Sequence, residues 1–244
     1  LSNADGQVVQ SGKEYLARAG AFDGLDAVLM LHPHSYDAAD HVWLGRRTLA
    51  VTYHGLPAHA SAEPFHGRNA LDAAALLYTG IGLMRQQLLP IDRVHAIITD
   101  GGTRASIIPE EARVDLYVRS ADADALRDLS RRVENAARGA ALMAGVGVTL
   151  EWDPHPASLP VRSNGPLTER WAMAQQRRGR RPLPLGVVPE QIAASTDFGN
   201  VSVRVPGIHP LLRIADAGCA LHTRGFAEAA ASPEALDAVA DGTF

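Results

Sequence analysis

The sequence predicts an α/β fold in two parts, with a β-α-β-β-α-β unit inserted into a second domain of buried strands and helices. Three observations carry that expectation. Ala27-Val28-Leu29-Met30-Leu31 is a continuous apolar run of strand length, the pattern of a strand covered on both faces. Between residues 45 and 157 the pattern changes to strands and two long amphipathic helices. After Pro154, Pro156 and Pro160 it changes again, to shorter mixed segments.

The elements follow in order. Lys13 to Ala21 is a short helix on which Tyr15, Leu16 and Ala19 share a face, and Gly20 closes it. The apolar strand at 27–31 ends at His32-Pro33. Thr48 to Gly55 is β-rich. Asn69 caps a helix to Gln87 with Ala70, Ala73, Leu76, Leu77, Ile81 and Met84 inward. Val94 to Thr99 is a strand, Gly101-Gly102 a turn, and Ala112 to Arg119 a half-buried strand with Val114, Leu116 and Val118 inward. Asp122 to Ala144 is a second long helix, and Val146 to Trp152 the last strand of the unit. This order is the ferredoxin-like split arrangement, whose first strand begins near where its last ends in space, so it can be spliced in through two neighbouring crossings. The expected division is therefore 45–157 for the inserted unit, and 1–44 with 158–244 for the host domain. In the latter, Gly165 to Gly179 is helical, 183–188 and Ile208 to Ile214 are strands, and Phe226 to Ala231 and Pro233 to Val239 are helices, with Pro233 at a helix start behind Ser232.

Composition narrows the function classes. Of 244 residues, 46% are hydrophobic and 20% charged, with a net charge of −4, so a sizeable core is available and no nucleic-acid footprint is expected. The dense basic run, Arg177, Arg178, Arg180 and Arg181, reads as a solvated helix end, where cations are favoured. One cysteine, Cys219, excludes an intrachain disulfide and fits a reducing, cytoplasmic setting. No apolar run is long enough to span a membrane, and the polar start does not read as a signal peptide. Ser2-Asn3-Ala4 reads as a cloning remnant, so residues 1 to about 10 carry no fold expectation.

Chemistry, if any, rests on histidine. Among ten histidines, His32 stands at the end of the apolar strand, where open α/β sheets place their crevice; it is either a metal ligand or a strand-end residue bonded to a loop. His222 lies in the small-residue loop Gly218 to Thr223 ahead of a helix, with the same two readings open. His59 lies in Gly55-Leu56-Pro57-Ala58-His59-Ala60-Ser61, where small neighbours leave its ring accessible. His54, His66, His95 and His155 read as ordinary residues without a polar partner, and His34 and His41 as part of an exposed loop.

Read together, the segments resemble the aminoacylase-like family of di-zinc peptidases and amidohydrolases, in the branch of aminobenzoyl-glutamate hydrolases and dipeptidases. The matching stretches are Ala19 to Ala27 running into Met30-Leu31-His32-Pro33, Gly55 to Pro64 with Gly67 to Ala73, Gly101 to Glu110, Ser195 to Ser202, and His209-Pro210 followed by His222-Thr223. The resemblance implies a partial α/β catalytic domain carrying a ferredoxin-like lid that makes a homodimer. It implies two zinc ions, with manganese as an alternative metal, and hydrolysis of the amide bond of an N-acyl amino acid or dipeptide. It makes His32 and His222 metal ligands. It makes His59 the residue that reaches the other protomer's site and stabilises the oxyanion. It sets Gly102, Thr103, Ser106, Asp197 and Asn200 against substrate, Ser106 standing where the family has asparagine.

Departures from the pattern shape a further expectation. No His-x-Asp or Cys-Gly-His stretch precedes residue 32, and Gln7-Val8-Val9-Gln10 stands where the resemblance would put a Glu-Glu pair. Glu110-Glu111 lies in the lid motif instead, and the helix expected after Glu234 is cut short at Phe244. A catalytic zinc takes about three protein ligands plus water, and a carboxylate base contributes a rate factor of about 10²–10⁴. The chain as given is therefore expected to be inactive alone. The competing reading is a non-catalytic dimerisation or binding module of the same fold. An RNA-binding use of the inserted unit is disfavoured, because its strands lack aromatic stacking positions.

Overall fold

A computed structural model of the chain describes residues 12–187 and 194–243. They fall into two compact units: one is Gly45–Ala157, and the other joins the residues up to Leu44 with those from Ser158 onward.

The second unit opens with α1 (Gly12–Arg18), β1 (Val28–Leu29) and β2 (His32–His34). β3 (Trp43–His54) then leads into the inserted unit, followed by α2 (Ala70–Met84), β4 (Arg93–Asp100), β5 (Glu111–Ser120), α3 (Ala123–Ala144) and β6 (Gly147–Trp152). The inserted sheet has the order β4-β5-β3-β6, antiparallel throughout. That is the ferredoxin-like arrangement the element order implied. Along β5 the residues Ala112, Val114, Leu116 and Val118 are buried, as period-two alternation requires of a sheet covered on one face. The covering layer is α2 and α3. Small residues at their contacts, Ala70, Ala73, Ala74, Ala137, Ala140 and Ala141, leave room for Leu77, Ile81, Leu129 and Val133 to fill the core. Asn69 accepts from the Leu71 N–H and Asp122 from the N–H groups of Asp124 and Ala125, so both helices start on side-chain caps. Gly145, at φ +66°, ends α3 in the left-handed conformation that glycine adopts without steric cost. The unit closes on itself at Asp153. Its carboxylate accepts from the Thr48 N–H and Arg47 Nε, while the Arg47 guanidinium lies 4.2 Å over the Trp152 ring.

The remaining elements are α4 (Gly165–Arg177), β7 (Ala194–Ser195), α5 (Gly199–Ser202), β8 (Gly207–Ile208), β9 (Leu211–Arg213), α6 (Arg224–Ala230) and α7 (Pro233–Gly242). The expected strand at Ile208–Ile214 is split. β1 pairs in parallel with β8 and β2 with β9 in one continuous register, but Pro210 interrupts it because proline has no N–H to give the ladder. The expected burial of 27–31 on both faces also fails. Leu29 is 53% exposed, and its two-residue strand pairs only with β8 among the described residues. The expected strand at 183–188 reduces to a single bridge between Ala38 and Leu183, and residue 188 lies outside the described residues. Around the ladder, Trp171, Ile208, Leu212, Ile214, Phe226, Ala235 and Ala238 form the core.

The basic run is not simply a solvated helix end. Arg178 and Arg180 both grip Asp241, at 2.6 and 2.9 Å, and Arg180 also pairs with Asp37 at 3.0 Å. Two guanidiniums converging on one carboxylate tie the end of α4 to α7.

α1 is fastened by Glu14. Its buried carboxylate takes hydrogen bonds from Arg204, Asn200 and Arg18. The Arg204 bond is the main cause that lowers the Glu14 pKa from 4.5 to about 2, against the opposing effect of burial. A depressed carboxyl contributes stability above its unfolded pKa and loses it as pH falls through the folded one. We therefore expect roughly 2–3 kcal/mol of stability to disappear between about pH 4.5 and pH 2 from this group. Thermal unfolding across that window checks it: Glu14→Gln should lower stability at pH 6 and flatten the acid slope. An unchanged slope would refute the assignment.

Candidate functional site

Two places gather the residues that the sequence singled out. The first is a pair of loops on the inserted unit. Loop 55–69 leaves β3, and loop 101–110 joins β4 to β5. They are laced by backbone hydrogen bonds: Ala60 N–H to Ser106 O (2.9 Å), Ile108 N–H to Ala58 O (2.9 Å), Gly55 N–H to Glu110 O (2.7 Å) and Ala70 N–H to Pro109 O (3.0 Å). Within the first loop, Leu56 and Arg68 exchange N–H and C=O at 2.8 Å each way. Glycine is required where these strands of loop meet. A Cβ on Gly55 would stand 2.1 Å from the Arg68 carbonyl oxygen. Gly102, at φ +98°, turns the second loop and donates to Asp100 Oδ1 at 3.0 Å.

This lacing places His59 opposite Ile107 as a bridge partner, next to Ser106. The ring is exposed and its orientation is fixed. Nδ1 accepts from the N–H groups of Ser61 and Ala62, both at 3.3 Å, and lies 3.2 Å from the Ser61 hydroxyl. A nitrogen that accepts two backbone N–H bonds carries no proton, so the neutral ring holds its N–H on Nε2. The result is a donor presented from a rigid turn. Gly102, Thr103 and Ser106 are exposed on the facing loop. The structure therefore brings His59, Gly102, Thr103 and Ser106 onto one pair of interlocked loops.

The second place lies in the other unit, around Trp43. His32, at the start of β2, directs Nδ1 to its neighbour's carbonyl, Pro33 O, at 2.8 Å. The proton is thus on Nδ1 and the Nε2 lone pair is free, the arrangement in which a second hydrogen bond orients a metal-ligating imidazole. Its ring lies 5.6 Å from Trp43 and 5.9 Å from His209. His209 stacks flat on Trp43, 4.3 Å between centroids at 6°, and Trp43 Nε1 donates to His209 O. His41 meets Trp43 edge-on at 5.3 Å. Burial drives the histidine pKa values down: His209 to about 3 and His34 to about 4, with His41 also lowered. The expectation of an exposed loop at His34 and His41 is thereby corrected. His41 is buried, because its ring packs on Trp43, and His34 is half-buried against Tyr36.

The other named residues are placed differently. His222 is exposed, with φ +61°, and among the described residues no hydrogen bond, ion pair or ring contact joins it to His32. Asp197 accepts from the Lys13 backbone N–H at 3.0 Å and pairs with its ammonium at 2.6 Å. Asn200 is buried, accepting from Leu159 N–H and donating to Glu14. These bonds join both side chains to α1, and Asn200 also to the segment at 159. No group of three or more His, Cys, Asp or Glu side chains able to hold a metal is assembled among the described residues. Gln7 to Gln10 lie outside those residues. His54 is not without a partner: Nε2 lies 2.8 Å from Thr149 Oγ1, and Nδ1 is 3.9 Å from Glu111.

Comparison with known proteins bears on both places. The model of the peptidase dimerisation domain of the M20 family matches residues 44–142. A mouse Xaa-Arg dipeptidase is 38% identical over 224 residues, covering 92% of this chain and 52% of that protein. One component of the p-aminobenzoyl-glutamate hydrolase of Escherichia coli K12 is 34% identical over 160 residues, covering 63% of this chain and 32% of that one. The crystal structure of a dinuclear metal-binding M20 peptidase from Bacillus subtilis superposes with a TM-score of 0.63 at 17% identity, covering 94% of this chain and 61% of that chain. At that identity the likeness is one of fold. The chain spans about half the length of the dipeptidase it matches.

Proposed function

We propose that the chain, whose residues 44–142 match the peptidase dimerisation domain of the M20 family, forms the lid and part of the catalytic domain of a metal-dependent amidohydrolase that cleaves N-acyl amino acids or dipeptides. The observation that carries this reading is the fixed tautomer of His59. An imidazole whose Nδ1 is held by backbone N–H groups offers Nε2–H as a preorganised donor, which is what a developing oxyanion requires. In this reading the acceptor is the amide carbonyl oxygen at the other protomer's site, and the homodimer forms through the lid, with an edge strand of its sheet and α2. Thr103 and Ser106, beside His59, contact the substrate.

For the metal we propose two zinc ions. A bound ion would polarise the carbonyl and acidify the attacking water. The donor chemistry of His32 fits, because Nδ1 is anchored on Pro33 O and Nε2 is free; His222 is the second proposed ligand. These two are part of a larger donor set, since a tightly held ion needs about three protein ligands. The lone cysteine supports a reducing compartment, and we place the protein in the cytoplasm.

A zinc-supplemented assay against N-acyl amino acids and dipeptides tests the proposal. The complete enzyme should turn over, lose activity with a chelator and lose it with His32→Ala. The chain of 244 residues assayed alone should show no appreciable hydrolysis. Hydrolysis by the complete enzyme that is indifferent to chelator would overturn the reading. Dimer formation without any turnover would favour a non-catalytic dimerisation module, a reading supported by the intact lid.

A further inference from the structure

The two loops that hold His59 also carry large apolar side chains in water. Leu56 and Ile107 are exposed, and Phe65 is 73% exposed. Scattered singly, such residues are ordinary; three on one pair of interlocked loops form a patch, and exposed apolar patches mark contact with something else. Phe65 is held in this patch by backbone. The His59 carbonyl accepts from the Glu63 N–H at 3.1 Å, and the Glu63 carbonyl accepts from the His66 N–H at 3.1 Å. Pro64, with its fixed φ, starts the single 3-10 turn Pro64–His66 on which the ring stands. Gly67 ends that turn in a tight space: a Cβ there would lie 2.6 Å from Ile108 Cδ1 and 3.2 Å from Ala58 Cβ. Ala58 and Ile108 are the chain neighbours of His59 and Ile107, which face each other as a bridge pair. Phe65, His59 and Ile107 thus belong to one small preorganised surface, and the His66 ring, 4.5 Å from that of Phe65, restricts it further.

We propose that Phe65, seconded by Ile107, is a specificity-determining residue that selects substrates with a large apolar acyl group over those with a small one. The inference rests on the amidohydrolase reading and on the role given there to His59. The Nε2–H of that ring addresses the carbonyl oxygen of the scissile amide. The acyl substituent is bonded to the same carbonyl carbon, whereas the amino-acid part begins one atom further on, beyond the nitrogen. A surface fixed beside the donor therefore meets the acyl group first. A ring already ordered by a backbone turn covers apolar area on that group at little cost in lost freedom, and an aromatic acyl group adds the attraction of one ring for another.

Steady-state kinetics of the complete enzyme on the N-benzoyl and N-acetyl derivatives of one amino acid, with sizing of each variant, test this. The wild type should favour the benzoyl substrate. Phe65→Ala should cut that preference in kcat/KM about tenfold, the scale on which an apolar contact discriminates. The loss should fall mainly on KM for the benzoyl substrate, because the contact is already made before charge develops. Phe65→Trp should keep the preference. A wild type that favours the acetyl substrate, or a preference unchanged in Phe65→Ala, would overturn the proposal and leave the amidohydrolase reading standing. So would an equal fall of kcat on both substrates, which would mean that Phe65 only supports the His59 turn. A Phe65→Ala variant that elutes as a monomer where the wild type is a dimer would make the residue an anchor of the assembly instead, and would also overturn it. A wild-type enzyme that hydrolyses neither amide with zinc present would overturn both readings.

Discussion

Replacing His59 by alanine in the complete enzyme should lower kcat about 10²–10³-fold, the scale seen when one oxyanion donor is removed. KM should change little, because the bond to oxygen strengthens only as charge develops. Stability should hold within about 0.5 kcal/mol, since the ring is exposed. The backbone N–H groups of Ser61 and Ala62 that the ring now receives can turn to water. The diagnostic pattern is a kcat loss without a change in melting temperature. Glutamine at the same position should restore part of the rate, since its amide also donates. Full activity of His59→Ala would remove the residue from the mechanism.

A Gly55→Ala substitution should have the larger structural effect, roughly 3 kcal/mol or more of destabilisation in the inserted unit. The added methyl would lie 2.1 Å from a backbone oxygen, and backbone cannot swing aside as a long side chain does. To admit it, the Leu56–Arg68 exchange must open, and with it the turn that orients His59. Urea unfolding should show a lower midpoint, and the activity of the complete enzyme should fall even at temperatures where the fold persists. A neutral midpoint would mean that the loops are looser than their hydrogen bonds imply. Gly24→Ala makes a useful contrast. No atom lies within 4 Å of its Cβ, and its cost would come from φ +74° alone.

Much of the fold could be read from period and cap. The alternation of Val114, Leu116 and Val118, the Asn69 and Asp122 caps, and Gly145 after α3 are local signals, and each has a local cause. The family motifs were legible for the same reason: each is a short, contiguous stretch. What escaped reading depends on contacts between distant segments. Residues 32, 41, 43 and 209 meet through ring stacking, which leaves no period in the sequence, so His41 read as loop and His209 as part of a motif without a role. Arg178 and Arg180 read as solvated because their partner, Asp241, lies more than sixty positions on. His209-Pro210 between two apolar pairs was the one available hint of a broken ladder with an unusual histidine inside it.

The closure of the inserted unit bears on how the chain comes off the ribosome. The host unit is held by pairs such as Lys13–Asp197 and Glu14–Arg204, separated by 184 and 190 positions. Bringing such distant positions together is slow when the intervening chain is free. The inserted segment is contiguous and can fold as soon as it has emerged. Once it has, Thr48 and Asp153 are joined by a 2.9 Å hydrogen bond, and the long intervening chain behaves as a short link. The ion-pair partners of α1, Asp197 and Arg204, are made only after the inserted segment. Synthesis thus imposes an order: the lid acts as the clasp that turns a distant encounter into a near one, and a slow-folding lid would prolong the interval in which α1, β1 and β2 are vulnerable to aggregation and proteolysis.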